Sequence, residues 1–379
     1  MKEETILQHP VQVKLEPGNR SLISPIYQSV KFTVDKIENL RNQEMYFYTR
    51  ISNPTTRELE LQLARLQGTE DAIAVASGCA ALSVPLLSLL KAGDHVLLFI
   101  ESYAPLRYLV RELLKKYGVE STLCSISNKA DIQKAIGPST RLMLFESPTN
   151  PMTHIADIDF LVGTAKKHGI LTLLDNTFAG PLNHKNCGAD LYVHSLTKFI
   201  SGHGDVMGGA VLGSKEMLKA IRHDATEVGT TLDPHTSALI SRGLKTYLIR
   251  RERQVKTALE VAQWLEKQSN VSRVWYPGLK SHPGFDQAKK QMKDSGAVIA
   301  FDLKNRPLEP FFDSLKLFTL AGSLGSCESL AAPVQAFYAR DLSPEQCAIA
   351  GISENSVRLS IGLEATEDLT HDLAQALHG

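Results

Sequence analysis

Between residues 56 and 245 short apolar runs alternate with stretches in which apolar side chains recur at helical spacing. Ala72 to Ala76, Val96 to Ile100, Ser121 to Ile126, Leu142 to Glu146, Leu171 to Asp175, Leu191 to Ser195 and Ala210 to Gly213 read as strands; Ala80 to Leu90, Leu106 to Tyr117 and Asp157 to His168 read as helices between them. This alternation predicts an α/β domain around a large, mainly parallel sheet of the seven-stranded type. Residues 1–55 are polar, are broken by Pro10, Pro17, Gly18 and Pro25, and show little periodicity outside Val34 to Arg41, so they predict an arm. Helical patterns from His235 to Lys267 then carry the chain into a smaller C-terminal α+β domain, residues 246–379, with strands near Ala297 to Leu303 and Ser356 to Leu363 and a closing helix from Glu367 to Leu377.

Composition narrows the class. A chain of 379 residues with 43% hydrophobic content can bury a large core. Its 41 basic and 41 acidic side chains cancel and form no basic block, which argues against a nucleic-acid partner. No apolar run approaches the ~20 residues of a membrane span, and MKEETILQHP lacks the pattern of a secretory signal, so the expectation is a cytoplasmic enzyme with no membrane partner. The five cysteines, Cys79, Cys124, Cys187, Cys327 and Cys347, are scattered and never in Cys-x-x-Cys spacing; they read as free, mostly buried thiols, with no metal site.

In an open α/β sheet, chemistry collects where strands run into their loops. Ser77-Gly78-Cys79 follows one predicted strand and opens a helix, which suits a phosphate or simply a tight turn. Tyr103 follows another strand, as packing or as a ring at the rim. Glu146-Ser147-Pro148-Thr149-Asn150-Pro151 closes a third, with two prolines predicting extended backbone and leaving the Asn150 amide at the rim. Asp175 emerges from an apolar run and needs a cation or several donors; metals and nucleotides also use such a carboxylate. In Val193-His194-Ser195-Leu196-Thr197-Lys198, an extended chain would point Ser195 and Thr197 one way and Lys198 the other, so that two hydroxyls hold a phosphate while the amine reaches another atom of the same ligand. An aldehyde cofactor with a phosphate tail has these requirements. His203 and Asp205 read as part of a supporting loop, and Arg250-Arg251-Glu252-Arg253 as a solvated helix face or a subunit contact.

Taken as a set, these segments resemble the pyridoxal phosphate (PLP) enzymes of cysteine and methionine metabolism: cystathionine γ-synthase, the cystathionine lyases, methionine γ-lyase and O-acetylhomoserine sulfhydrylase. The resemblance runs from Tyr48-Thr49-Arg50-Ile51-Ser52-Asn53-Pro54-Thr55 through Ser195-Leu196-Thr197-Lys198 and Ser323-Leu324-Gly325-Ser326-Cys327-Glu328-Ser329-Leu330 to Ser356-Val357-Arg358-Leu359-Ser360-Ile361-Gly362-Leu363-Glu364. It implies the aspartate aminotransferase-like architecture of PLP enzymes (fold type I). It further implies that Lys198 holds PLP as a Schiff base and moves protons, that Asp175 pairs with the pyridine nitrogen, and that Tyr103 stacks on the ring and can act on the leaving group. Ser77, Gly78, Cys79, Ser195 and Thr197 would bind the phosphate, joined by Tyr48 and Arg50 of a neighbouring subunit. Arg358 would bind the carboxylate of an amino-acid substrate, with Ser323 and Asn150, and Asn150 would also contact the cofactor. A homodimer follows, with a tetramer of two dimers as the usual family form.

Departures from the common family pattern gather around the substrate. Cys79 stands at a usually apolar position, Gly204 replaces a serine, Ala104-Pro105-Leu106-Arg107 follows Tyr103, Gly322 precedes Ser323, and Ala336-Phe337-Tyr338 occupies a variable segment. The expected activity is C–S cleavage of cystathionine or a related sulfur amino acid by α,β- or α,γ-elimination. γ-Replacement at an O-acyl homoserine is the alternative. A phosphate-binding α/β protein without a covalent cofactor and a catalytically silent family member remain as readings from other classes.

Overall fold

The computed structural model describes residue 18, residues 21–41 and residues 45–378. Seven strands, β1 Asp71–Val75, β2 His95–Phe99, β3 Glu120–Cys124, β4 Thr140–Glu146, β5 Leu171–Asp175, β6 Leu191–Ser195 and β7 Gly209–Gly213, form one sheet in the order β1-β7-β6-β5-β4-β2-β3. All are parallel except β7, which runs antiparallel to both its neighbours.

Side chains alternate across this sheet, and both faces are covered. Ile73, Val75, Leu98, Leu144, Leu173 and Val193 pack into one core, while Ala72, Ala74, Phe99, Phe145, Leu174 and Tyr192 pack into the other. Burial on both sides explains why the strands read as continuous apolar runs. A second sheet, from β8 Val271–Trp275, β9 Val298–Leu303, β10 Thr319–Leu320, β11 Leu330–Pro333 and β12 Ser356–Ser360, has the order β10-β11-β12-β9-β8. It packs against the long helix Tyr247–Leu265 and the closing helix Thr366–His378 around Phe301, Phe311, Val261 and Leu373. No helix among the described residues is long and apolar enough to cross a membrane.

One predicted helix differs from expectation. Leu106 to Tyr117 is not one α-helix: Ala104–Tyr108 is α-helical, Leu109–Leu113 is a π turn and Leu114–Tyr117 a 3-10 turn, ended by Gly118 at φ 79°. The stretch from His235 to Lys267 is two helices, Pro234–Leu244 and Tyr247–Leu265. In the arm, the periodicity at Val34 to Arg41 corresponds to a 3-10 turn, Ile37–Arg41.

The outer edge of β1 would expose unpaired backbone groups. Glu60, from the helix Pro54–Gln67, accepts the Ala74 N–H at 2.9 Å, and Arg222 donates to the Ala72 carbonyl at 2.6 Å. Arg57 and Arg222 both pair with Glu60 and Asp71, so side chains stand in for a missing strand. Glu60→Ala leaves an orphaned N–H and two under-paired arginines, and should lower the urea-unfolding free energy by about 1–3 kcal/mol; a change below about 0.5 kcal/mol would mean that the edge is covered by other means.

Candidate active site

At the carboxyl ends of the parallel strands lies a cavity of about 250 Å³, of the order that holds a small ligand. Ser77, Gly78, Cys79, Tyr103, Asn150, Asp175, Ser195, Thr197, Lys198, Ser323 and Arg358 all line it. Tyr48 and Arg50 do not: Arg50 donates to the Thr226 carbonyl at 2.9 Å and lies 5.7 Å from the Tyr48 ring centre. The small cleft near them, about 50 Å³, is walled by the Arg57, Glu60 and Arg222 charges already spent on one another.

Lys198 is placed by a turn and not by an extended strand. β6 stops at Ser195, the Lys198 N–H donates to the Ser195 carbonyl at 3.3 Å, and the Lys198 carbonyl accepts from Gly202 at 2.9 Å. Nζ of Lys198 donates to Ser323 Oγ at 2.6 Å. Burial first, and then the Arg358 charge, push its amine down to about 8 from 10.5.

Asp175 ends β5 with its carboxylate set in the cavity wall. Its Oδ1 accepts the Thr177 N–H at 3.1 Å and the Thr177 hydroxyl at 2.6 Å; its Oδ2 accepts nothing from the described residues. Nearby, the buried Glu146 accepts the backbone N–H groups of Tyr103 and Asn150. Burial raises both carboxyls toward the protonated form, and the charge of Asp175 raises Glu146 further. Neither forms an ion pair with the described residues, so a cation that joins them is strongly favoured.

The helix Gly78–Leu89 points its N-terminus at the same space. Ser77 caps it through the Ala80 N–H at 3.0 Å, which leaves the Gly78 and Cys79 N–H groups without partners among the described residues. A Cβ on Gly78 would lie 2.8 Å from Ser195 Cβ and 2.9 Å from its hydroxyl, so glycine is what lets these donors converge. An anionic tail suits this cradle. The Thr197 hydroxyl is engaged with Gly208, donating to its carbonyl at 3.3 Å and accepting its N–H at 3.0 Å, which leaves Ser195 as the freer hydroxyl.

Arg358, on β12, is 2% exposed and pairs with no carboxylate among the described residues. It donates to Asn150 Oδ1 at 2.9 Å and to the Ser323 carbonyl, and its guanidinium carbon lies 4.1 Å from the Tyr338 ring centre. A buried guanidinium satisfied only by neutral acceptors is a site for an anion. Burial pushes the Tyr103 hydroxyl up to about 12, so it is neutral near pH 7.

Other expectations are corrected. Cys79 is an exposed thiol at the cavity, and Cys187 and Cys327 are half-buried; only Cys124 and Cys347 are buried. The segment after Glu146 bends, with cis bonds before Pro148 and Pro151. Arg250 and Arg251 are not on a solvated face but 5% and 4% exposed. Sequence reasoning passed over them, and over Glu146 and Tyr338 as site residues. A signal existed for the arginines: Arg250 and Arg251 share a helical face with Gln254, Thr257, Ala258, Val261 and Leu265, all buried.

An amine held near neutrality, a deep carboxylate that calls for a cation and a helix-end anion cradle fit the aldehyde, the ring nitrogen and the phosphate of PLP, and with the sheet order they define a fold type I PLP enzyme. The profile of the Cys/Met metabolism PLP-dependent enzyme family matches residues 4–378, and the chain belongs to that family. It is 40% identical over 369 residues to an L-methionine gamma-lyase of Fusobacterium nucleatum subsp. polymorphum, covering 94% of this chain and 93% of the relative. A cystathionine beta-lyase of Lactococcus lactis subsp. cremoris is 39% identical, with 93% of each chain covered. The crystal structure of cystathionine gamma synthase from Xanthomonas oryzae pv. oryzae in complex with cystathionine superposes with a TM-score of 0.89 at 36% identity, over 94% of this chain and 93% of that one. The chain is thus a PLP-dependent carbon–sulfur lyase or γ-replacement enzyme.

In cofactor-free protein, acylation of Lys198 followed by peptide mass spectrometry should titrate with a midpoint of about 8. Because the Arg358 charge disfavours the ammonium form, Arg358→Ala should move that midpoint up. A wild-type midpoint at the ordinary 10.5 would contradict the geometry.

Proposed function

We propose that this enzyme cleaves the C–S bond of cystathionine or a related sulfur amino acid by α,β- or α,γ-elimination, with Lys198 as its proton carrier. The observation that carries this reading is the meeting, in one cavity, of the depressed Lys198 amine and an Arg358 guanidinium lacking a protein anion. Similarity to the methionine gamma-lyase and the cystathionine beta-lyase favours elimination. Leu82, Phe178, Met207 and Leu324 form walls suited to an uncharged thioether.

When bound, PLP supplies an aldehyde that takes up the substrate amine and a ring that accepts the electron pair left on Cα. Arg358 binds the α-carboxylate through a two-pronged contact, and Asn150 keeps its guanidinium in plane. Lys198, oriented by Ser323, removes the Cα proton, and its low proton affinity lets it do so near neutral pH. Departure of sulfur from Cβ then gives pyruvate, ammonia and a thiol after hydrolysis; departure from Cγ needs a second deprotonation at Cβ, by the same amine once it has handed on the first proton, and gives oxobutyrate, ammonia and a thiol. Asp175 would hold the ring nitrogen, Tyr103 would cover the ring face and could protonate the leaving sulfur, and Ser77, Gly78, Cys79 and Ser195 would hold the phosphate, joined by Thr197 if its hydroxyl turns from the Gly208 carbonyl.

Tyr48 and Arg50 lie outside their own chain's cavity, which supports a shared site completed by a second subunit of a homodimer, two of which would make a tetramer. The arm, residues 1–55, would carry that contribution, with residues 56–245 and 246–379 as the two domains, and the enzyme would work in the cytoplasm. γ-Replacement at an O-acyl homoserine is the second reading, favoured by the likeness to the cystathionine gamma synthase.

With L-cystathionine, pyruvate and homocysteine are the expected products of β-elimination, and oxobutyrate and cysteine those of γ-elimination; L-methionine should yield oxobutyrate and methanethiol if a plain thioether is accepted. No keto acid from any of these, with cystathionine formed from O-acyl homoserine and cysteine, would replace the lyase reading by γ-replacement. Lys198→Ala should lower turnover by more than about 10,000-fold, whereas Arg358→Ala should lower kcat/KM by about 10- to several hundred-fold; a mild Lys198→Ala phenotype would break the assignment.

A further inference from the structure

Asp175 and Lys198 leave the sheet on adjacent parallel strands, with Asp175 opposite Val193 in register, and each then enters a loop whose carbonyls have no strand to pair with. On one side the loops are stitched together directly: the Asn176 N–H donates to the Val193 carbonyl at 2.9 Å, and the Ser195 N–H donates to the Thr177 hydroxyl at 2.9 Å. On the far side the link is made by neighbouring arginines of the helix Tyr247–Leu265.

Arg250 holds one loop only. It donates to the carbonyls of Phe199 at 2.9 Å and Ile200 at 3.3 Å, just beyond Lys198, and to Gly243 at 2.9 Å. Arg251 reaches both. It donates to the carbonyls of Phe178 at 3.2 Å and Ala179 at 3.1 Å, just beyond Asp175, while its guanidinium carbon sits 5.0 Å from the Phe199 ring centre. Asp294 holds Arg251 from behind at 2.6 Å and is itself fixed by the Gly296 N–H at 2.9 Å. One buried cation thus binds the loop after Asp175 by hydrogen bonds and the loop after Lys198 by its charge over an aromatic face.

We propose that Arg251, held by Asp294, is a positioning residue that sets the spacing between Asp175 and Lys198 and thereby the fit of the cofactor between its ring-nitrogen and aldehyde ends. It touches neither cofactor nor substrate. An apolar side chain of similar length fills its volume but can neither bond the Phe178 and Ala179 carbonyls nor place a charge over Phe199. The inference rests on the reading of Asp175 and Lys198 as the cofactor's anchors.

The test compares wild type, Arg251→Met with Asp294→Asn, which removes both charges together, Arg251→Lys, and Tyr276→Phe, which deletes a buried hydroxyl bond to the Gly296 carbonyl in the same core without touching either loop. PLP-loaded proteins are titrated with pH while the visible absorption band is followed, and amide hydrogen exchange is measured over residues 176–180 and 196–202. The double variant is expected to show a displaced band midpoint, faster exchange in both loops, and a kcat lowered roughly 10- to 100-fold, while Arg251→Lys recovers part of each and Tyr276→Phe keeps the wild-type midpoint. A double variant with the wild-type midpoint and kcat and only a lower Tm would overturn the proposal, as would faster exchange in the loop after Asp175 alone. If the double variant does not fold, a wild-type midpoint and kcat in Arg251→Lys would overturn it and an intermediate displacement would support it. A wild-type protein that takes up no PLP would instead refute the cofactor reading itself.

Discussion

A carboxylate set deep at the end of a strand is stable as an anion only beside a cation or a full set of donors, and Asp175 imposes that constraint on everything around it. Thr177 satisfies one oxygen, and the charge of Asp175 in turn makes ionisation of the neighbouring Glu146 carboxyl harder. Neither carboxyl is in a direct ion pair with the described residues, although the Arg107 charge favours ionised Glu146. The same imbalance recurs with opposite sign at Arg358, whose charge is met by an amide oxygen and a carbonyl. The cavity is therefore arranged for a ligand that is positive where it meets Asp175, anionic at the helix Gly78–Leu89, and joined to a carboxylate at Arg358. PLP together with an amino acid meets all three requirements.

The fold explains how such charges come together at low cost. Parallel strands share one carboxyl rim, so Tyr103, Asn150, Asp175 and Lys198, which are far apart in sequence, leave the large sheet in the same direction. The second sheet contributes from the opposite wall: Arg358 lies in β12, and Ser323 sits at φ 82° in the loop ahead of β11. The Lys198 to Ser323 bond crosses between the two, so the amine is oriented by one sheet domain while being carried by the other. Arg107 makes a second crossing, 1% exposed and paired with Asp341 at 2.6 Å, where it also donates to the Tyr338 carbonyl. The departure noted after Tyr103 thus has a structural meaning, since Arg107 ties the Tyr103 loop to the segment that stacks on Arg358.

The strands were legible because burial on both faces leaves an apolar run, and Asp175 and Lys198 were legible because each interrupts or follows such a run. The arginines at 250 and 251 were not, because an arginine on a helix is solvated by default and its partners here are loop carbonyls, which leave no mark in a sequence. The placement of Ser195 and Thr197 was read from strand alternation, whereas a turn starts after Ser195 and engages Thr197 with Gly208. The break in Leu106 to Tyr117 was likewise hidden, since a π turn of 5 residues and a 3-10 turn of 4 are each too short to show a period of their own. Exposure of Cys79 follows from its place at a helix start facing the cavity, where the usual tendency of a free thiol to be buried does not apply.

The central claim is that Lys198 is the residue to which the cofactor is attached. Borohydride reduction of the PLP-loaded enzyme, followed by proteolysis and mass spectrometry, tests it most directly because reduction makes the carbon–nitrogen bond permanent. The account predicts a single pyridoxyl adduct, on the peptide that contains Lys198. An adduct on a different lysine, or none after incubation with PLP, would contradict it.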